Sequence, residues 1–317
     1  MLSGVSIVCF AASYAVALGL EVSRLFFRSG VRGAIMLAFA AAGLLAHTAF
    51  LAHRAAEAAG SPLSSKQEWY LLTAWLLVVV YLYLTYFHPK QAFGVFILPL
   101  VLGLIGVGTL AADAEPFARE PASRIWGGIH GSSILLATAA MLVGFAAGLM
   151  YLGQAYRLKR KLPPLRGFQL PSLEWLQRAN SRAIVISLLL LAVGILAGVV
   201  LNLINRQRQV TLLPWSDPLV LSTLGMFGWL VVSAGVGVFY RPTREGQKVA
   251  YLTVVSFVFL VIALGIGMSV MTQHSGKQEG TQGERVELGV QGSGFRVQDS
   301  QLAPRPSPLA LLQGGGA

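Results

Sequence analysis

The stretch GIHGSSILLATAAMLVGFAAGLMYLGQA, residues 128–155, decides the fold. It lies between Arg124 and Arg157, and no Lys, Arg, Asp or Glu occurs between those two residues. A helix needs roughly 20 predominantly apolar residues to cross the hydrocarbon core of a bilayer. Since this segment exceeds that length, the sequence predicts a transmembrane helix that extends past the bilayer on one side.

Similar apolar segments occur along most of the chain. Only 12% of the 317 residues are charged, about half of the roughly 25% found in soluble domains. That leaves too little polar surface to cover a particle in water. We therefore predict an all-α, polytopic membrane protein of about eight transmembrane helices. The predicted spans are 4–23, 34–53, 69–87, 93–111, 128–155, 183–204, 218–240 and 249–271.

The basic residues of the loops indicate the orientation. One set of alternate loops carries fourteen Lys and Arg and the other set carries six. Because cytoplasmic loops carry the excess of positive charge, both termini and the loop at 112–127 should be external. The net charge of +11 does not indicate a nucleic-acid-binding protein, because the basic residues lie between hydrophobic spans.

The ends of the chain, its single cysteine and one loop add further expectations. Cys9 is the single cysteine, which excludes an internal disulfide and a CxxCH motif. The N-terminus lacks the basic region and cleavage site of a signal peptide, so we expect a retained first helix. The Leu and Trp spacing after Pro171 predicts a short interfacial helix before the sixth span. We predict a membrane domain over 1–275 and a disordered external tail over 276–317, whose composition cannot support a core.

The five histidines are the first candidates for chemistry. A polar side chain inside a membrane span is costly, which favours a function for His47 in the second span. His53 lies near the external end of that span, and His88 at the cytoplasmic end of the third. His130 begins the fifth span and His274 ends the eighth, both at the external surface. Two histidines at one depth could hold a haem iron between them, although histidines at an interface are also tolerated without a function.

The external loop between the sixth and seventh spans contains TLLPWSDPLVLS. Asp217 followed by Pro218 is typical of a helix start, with a cap and then proline in the first turn. Trp215 is either an interfacial anchor or an aromatic surface for a planar apolar ligand. Trp126, four residues before His130, has the same two interpretations.

Several stretches together resemble a known family. The chain resembles the CcsA/ResC cytochrome c biogenesis proteins of system II and their HemX-like relatives over residues 5–275, and HSG stands where the family has His-Ser-Tyr. The resembling stretches, in chain order, are LLAHTAFLAHRAAEAAGSPLSSKQEWYLLTAWLLVVVYLYL, GVFILPLVLGL, WGGIHGSSILLATAAMLVGFAAGLMYLGQAYRLKRK and LPSLEWLQRANSRAIVISLLLLAVGILAG.

The resemblance implies a role for these histidines in handling haem. In that family one histidine pair lies within the membrane, and a second pair flanks a tryptophan-rich external segment. His47 is similar by position to the first membrane histidine, and His130 and His274 to the external ligands of the haem iron. The remnant of the tryptophan-rich segment is Trp215, Asp217 and Pro218.

Two departures from the family pattern limit what the resemblance implies. The tryptophan-rich segment is reduced here to Trp-Ser-Asp-Pro-Leu. The second membrane histidine should follow a tryptophan by eight residues, but counting from Trp229 leads to Gly237. This indicates either that haem is held only at the outer face or that haem export has been lost.

The resemblance implies that the protein presents non-covalent haem b at the external face for thioether attachment to apocytochrome c, with Trp126 and Trp215 shielding it. The expected partners are a CcsB-type membrane subunit, apocytochrome c and the lipid bilayer, without nucleic acid. The expected location is the bacterial inner membrane. Whether the chain belongs to a catalytic system II haem lyase complex stays open.

Two other functions remain as alternatives. A HemX-like protein would regulate or scaffold haem metabolism without catalysis, and would bind no haem. A small-molecule transporter would need a polar cavity at mid-membrane, and only His47 points to one.

Overall fold

The computed structural model describes residues 6–23, 30–57, 65–112, 124–161, 169–207, 214–239 and 246–269. These ranges contain eight α-helices and no β-strand. The helices are α1 (Ile7–Ser23), α2 (Gly30–Glu57), α3 (Lys66–Phe87), α4 (Gly94–Leu110), α5 (Arg124–Lys159), α6 (Leu173–Gln207), α7 (Pro218–Phe239) and α8 (Gly246–Ser269). The predicted tail at 276–317 lies outside the described residues and stays a prediction.

The helices have the length and composition of membrane spans. Five of those in the described ranges, α2, α3, α5, α6 and α7, are long and apolar enough to cross a bilayer. The apolar parts of α1, α4 and α8 are shorter. The prediction of an all-α, multi-pass membrane protein is confirmed, whereas the exact number of spans and the external position of both termini stay predictions.

Two helices extend well beyond the width of a bilayer. α5 has 36 residues and α6 has 35, which correspond to about 54 and 52 Å at 1.5 Å per residue. The hydrocarbon core of a bilayer is about 30 Å thick. The predicted extension of the fifth span past the bilayer therefore agrees with the observed length of α5.

The start of α6 lies in the segment for which we predicted a short interfacial helix leading into the sixth span. The structure has one continuous helix from Leu173, and the hydroxyl of Ser172 caps it by accepting a hydrogen bond from the Trp175 amide at 3.3 Å. Leu176 and Asn180 are buried in the protein. The segment packs partly against other helices and continues directly into the span, and its position at the membrane interface stays a prediction.

Helices α5, α6 and α8 approach one another closely at small residues. On α5, a Cβ at Gly144 would lie 2.8 Å from the Cβ of Ala183 on α6, and Gly148 faces the backbone of Ala250 on α8. Small residues allow this approach in membranes, where dispersion contacts and hydrogen bonds drive helix association. α5, α6 and α8 therefore form a closely packed group.

The first four helices form a second group that contacts α5 through α3 and α4. At one end of this group, the buried Glu21 of α1 lies against Gly94 at the start of α4, beside Tyr81 of α3. At the same end, the Ala92 amide donates to the Gln169 carbonyl at 3.0 Å. That bond joins the α3–α4 connection to the segment before α6.

Candidate functional site

His130 lies in the second turn of α5, where it contacts α6. Its Nδ1 is 2.7 Å from the carbonyl oxygen of Gly194, and the ring is partly buried. A backbone carbonyl can only accept a hydrogen bond. Nδ1 therefore carries the proton and donates it, which leaves the lone pair of the neutral imidazole on Nε2.

Gly198, one turn after Gly194 on α6, lies under the same ring. A Cβ at this position would be 2.9 Å from both Nδ1 and Cε1 of His130 but 3.8 Å from Nε2. The imidazole thus fits against a part of α6 that has no side chain, and the edge that carries Nδ1 makes the closest contact. We use the name His130 seat for the surface of α6 at Gly194 and Gly198, against which the imidazole ring of His130 lies.

The chemistry of the His130 seat fits a metal ligand. A histidine that binds a metal through one ring nitrogen usually donates from the other to a carbonyl or a carboxylate, which fixes the tautomer and the ring orientation. Within the described ranges, no group of three or more His, Cys, Asp and Glu residues could form a metal site of the protein's own. A single histidine held in this way is also the kind of group that can bind a haem iron, whose other ligands come mostly from the porphyrin.

The two candidate tryptophans lie at the same end of the helices as His130. Trp126 is one turn earlier on α5 and 38% exposed, and residues four apart lie on one helix face. Trp215 lies in the turn before α7 and is 59% exposed. We call this end, where α5 begins and α6 ends, the His130 end, and it is the end predicted to be external.

Asp217 begins α7 as the sequence predicts. Its Oδ1 accepts a hydrogen bond from the Leu219 amide at 2.8 Å, and its carbonyl accepts from the Leu221 amide at 3.0 Å. The side chain is 4% exposed. The cap interpretation of Asp217 is confirmed, and the Asp217 amide donates to the Pro214 carbonyl at 3.0 Å across the turn that holds Trp215.

His274 lies beyond Ser269, the last described residue of α8, and so lies outside the described residues. A pairing of His130 with His274 stays a prediction. The connection at 113–123, which belongs to the predicted external loop before α5, also lies outside the described residues.

His47 lies at the contact of α2 with α1 and is completely buried. The ring of Phe10 stacks on its imidazole at 4.1 Å with an interplanar angle of 3°, and the Tyr14 hydroxyl lies 3.3 Å from Nδ1. Nε2 is buried without a hydrogen-bond partner among the described residues. A haem iron could contact Nε2 only after neighbouring side chains moved, and a ligand role for His47 stays a prediction.

The remaining two histidines lie apart from the His130 seat. His88 ends α3 at the opposite end, is exposed, and lies with its ring 6.2 Å from that of Trp175. This agrees with its interpretation as an interfacial residue. His53 is partly buried in the last turns of α2.

Sequence reasoning missed the residues of α6 that hold His130. Gly194 and Gly198 are four residues apart, a spacing that allows close helix packing in membranes, but nothing in that spacing indicates that an imidazole occupies the contact. It also missed the buried hydrogen bond from Thr253 of α8 to Asn180 of α6, at 2.6 Å. Thr253, a polar residue in an otherwise apolar span, was the available signal for this hydrogen bond.

Comparison with known proteins decides the family. A family model described as "Cytochrome C assembly protein" matches residues 63–273, more than half of the chain. The chain belongs to the cytochrome c assembly protein family. A curated relative, the cytochrome c biogenesis protein CcsA of Guillardia theta, is 24% identical over 249 residues, which cover 72% of this chain and 80% of the relative.

Membership of the cytochrome c assembly family gives this integral membrane protein a role in cytochrome c biogenesis. The matched range includes helices α3 to α8 with His130, Trp215 and Asp217. His47 lies before the range, and His274 is the first residue after it. The candidate residues of the His130 end other than His274 are thus within the matched part of the chain.

Proposed function

We propose that this protein holds haem b non-covalently at the external face of the bacterial inner membrane and presents it to apocytochrome c for thioether attachment. The observation that carries the proposal is the hydrogen bond from Nδ1 of His130 to the Gly194 carbonyl. It would leave the Nε2 lone pair to bind the iron. Cytochrome c biogenesis, the role that the family supplies, attaches haem to a client protein, so a ligand for the haem iron fits this role.

Each residue of the site has a separate task in this proposal. Nε2 of His130 would bind the iron from one side, and His274 would be the second ligand. The exposed rings of Trp126 and Trp215 would cover the faces of the porphyrin and keep water from it. The haem supplies the vinyl groups that react, and the thiols come from the client, because this chain has no CxxCH motif.

The inner histidine has no ligand task in the proposal. His47 is enclosed by Phe10 and Tyr14, and Gly237 stands where the resemblance implies its partner on α7. Haem would therefore be held at the outer face alone. A CcsB-type membrane subunit is the expected partner, and it would complete the route by which haem arrives.

The experiment that tests the proposal is the visible absorption spectrum of the purified protein after expression with adequate haem. We expect a Soret band in the wild type and its loss in His130→Ala, because that change removes the Nε2 ligand. His88→Ala is the matched control, since it removes an exposed histidine at the opposite end, and it should keep the band.

Two results would overturn the proposal. One is purified wild-type protein without a Soret band, together with normal cytochrome c in a deletion strain. That result would favour the HemX-like alternative. The glycine at position 237, where the resemblance implies a second membrane histidine, already points to it. The other is a band of wild-type intensity in His130→Ala, which would show that haem is bound elsewhere.

A further inference from the structure

We propose that Gly194 and Gly198 of α6 are positioning residues that set the tautomer and the orientation of His130 for iron binding. The Gly194 carbonyl would hold the proton on Nδ1, and the bare backbone at Gly198 would let the ring reach that carbonyl. This inference rests on the proposed function and adds to it the α6 residues that prepare the ligand.

The first step of the argument is the hydrogen bond. In an α-helix the Gly194 carbonyl already accepts from the amide four residues later, and its second lone pair can accept from His130. The distance of 2.7 Å is at the short end for an N–H···O bond. Because the carbonyl can only accept, this bond favours the tautomer that carries the proton on Nδ1.

The second step is the clearance around the ring. A methyl group at Gly198 would lie 2.9 Å from Nδ1 and from Cε1, which is closer than real Cβ atoms approach. The ring would have to move away from α6, and the hydrogen bond to Gly194 would lengthen. A side chain at Gly198 therefore affects the edge of the imidazole that carries the proton, while Nε2, at 3.8 Å, keeps normal contact distances.

The third step concerns the alternative that the contact serves only helix packing. Close packing of α5 on α6 at this level is already provided by Ile134, whose Cγ1 would be 3.0 Å from a Cβ at Gly194. A partly buried histidine adds a polar group that an apolar residue would not bring. Nε2 of His130 is not among the buried atoms without a partner in the described residues, so it stays accessible to a ligand, for which the packing alternative has no use.

The test compares Gly198→Ala with Gly228→Ala. Gly228 is a matched control because it is also helical, on α7, and a Cβ there would meet nothing within 4 Å. We expect Gly198→Ala to lower haem affinity by about 10- to 100-fold, as loss of an outer-shell partner of a metal-ligating histidine typically does, and to shift the Soret band. Gly228→Ala should retain wild-type affinity and spectrum.

A second arm separates positioning from folding. In His130→Gly the ring is removed, and added imidazole should restore the Soret band by occupying the His130 seat. In the double variant His130→Gly/Gly198→Ala, the methyl group fills the space that the free imidazole needs, so the band should not return. The double variant also lacks the clash with the native ring, so it stays informative even if Gly198→Ala alone does not fold.

The outcomes distinguish this inference from the proposed function. If His130→Gly keeps its Soret band without imidazole, the proposed function itself fails. If His130→Gly loses the band but Gly198→Ala binds haem like the wild type, only the positioning role fails. Equal rescue by imidazole in His130→Gly and in the double variant would also overturn the positioning role.

Discussion

The hydrogen bond between Thr253 and Asn180 should stabilise the fold measurably, because it joins α8 to α6 in a water-free interior. The Thr253 hydroxyl donates to Oδ1 of Asn180 at 2.6 Å, and each residue is 1% exposed. Thr253→Val keeps the shape of the side chain and removes the donor. Interhelical hydrogen bonds in membrane proteins contribute about 0.6 kcal/mol on average and at most about 1.7.

The short distance and the complete burial of this pair place it toward the upper part of that range. Thr253→Val also leaves the buried Asn180 oxygen without the hydroxyl, which adds a desolvation cost. We therefore expect a loss of about 1–2 kcal/mol in the free energy of unfolding. At about 1.4 kcal/mol the equilibrium constant for unfolding rises tenfold.

Reversible unfolding in mixed detergent micelles, followed by far-ultraviolet circular dichroism, measures this loss. Thr223→Val is the control, because the Thr223 hydroxyl donates within its own helix, to the Leu219 carbonyl at 2.8 Å, and its loss should cost little. In Thr253→Val/Asn180→Leu both partners are apolar, so part of the lost stability should return. The reasoning is refuted if Thr223→Val lowers the free energy of unfolding as much as Thr253→Val does. It is also refuted if the loss in Thr253→Val/Asn180→Leu equals the sum of the losses in the two single variants.

Two further changes test other contacts. Gly43→Ala would place a Cβ 2.7 Å from the ring of Tyr14, so we expect the free energy of unfolding to fall by about 1–3 kcal/mol in the same assay. Gly33→Ala is the control, because a Cβ there meets nothing within 4 Å, and it should cost no stability. Equal losses in the two variants would contradict the packing argument. Asp217→Ala removes the acceptor of the Leu219 amide and should cost about 1 kcal/mol, whereas Asp217→Asn keeps an acceptor and should retain both stability and cytochrome c maturation, measured by haem staining. Loss of maturation in a stable Asp217→Asn variant would mean that the carboxylate has a role beyond the cap.

The sequence predicted the positions of most helices because a membrane span must be long and nearly free of charge. The windows around 128–155 and 218–240 correspond to α5 and α7 for this reason. The sequence predicted a helix leading into α6 but not its packing on protein, because an apolar face can rest on lipid or on protein with the same residue spacing. Leu176 and Asn180 pack on other helices, and no periodicity in 173–182 indicates which neighbour they have.

The sequence predicted which residues are candidates for the site but not the contacts that decide their chemistry. A histidine inside a span predicted a function for His47, yet Phe10 and Tyr14 of another helix enclose it. By residue type alone His130 resembles His88, which the structure leaves exposed at the opposite end. The difference between these histidines is made by the helices that pack against each of them.

The sequence by itself determined that this is a multi-pass membrane protein, and its motifs indicated cytochrome c biogenesis, because hydropathy and short motifs are local properties of the chain. Only the tertiary structure decided which nitrogen of His130 carries the proton. That nitrogen bonds to Gly194, 64 residues away, and Gly198 leaves the space for it. A contact between helices depends on their rotation and depth, which packing fixes and local sequence does not record.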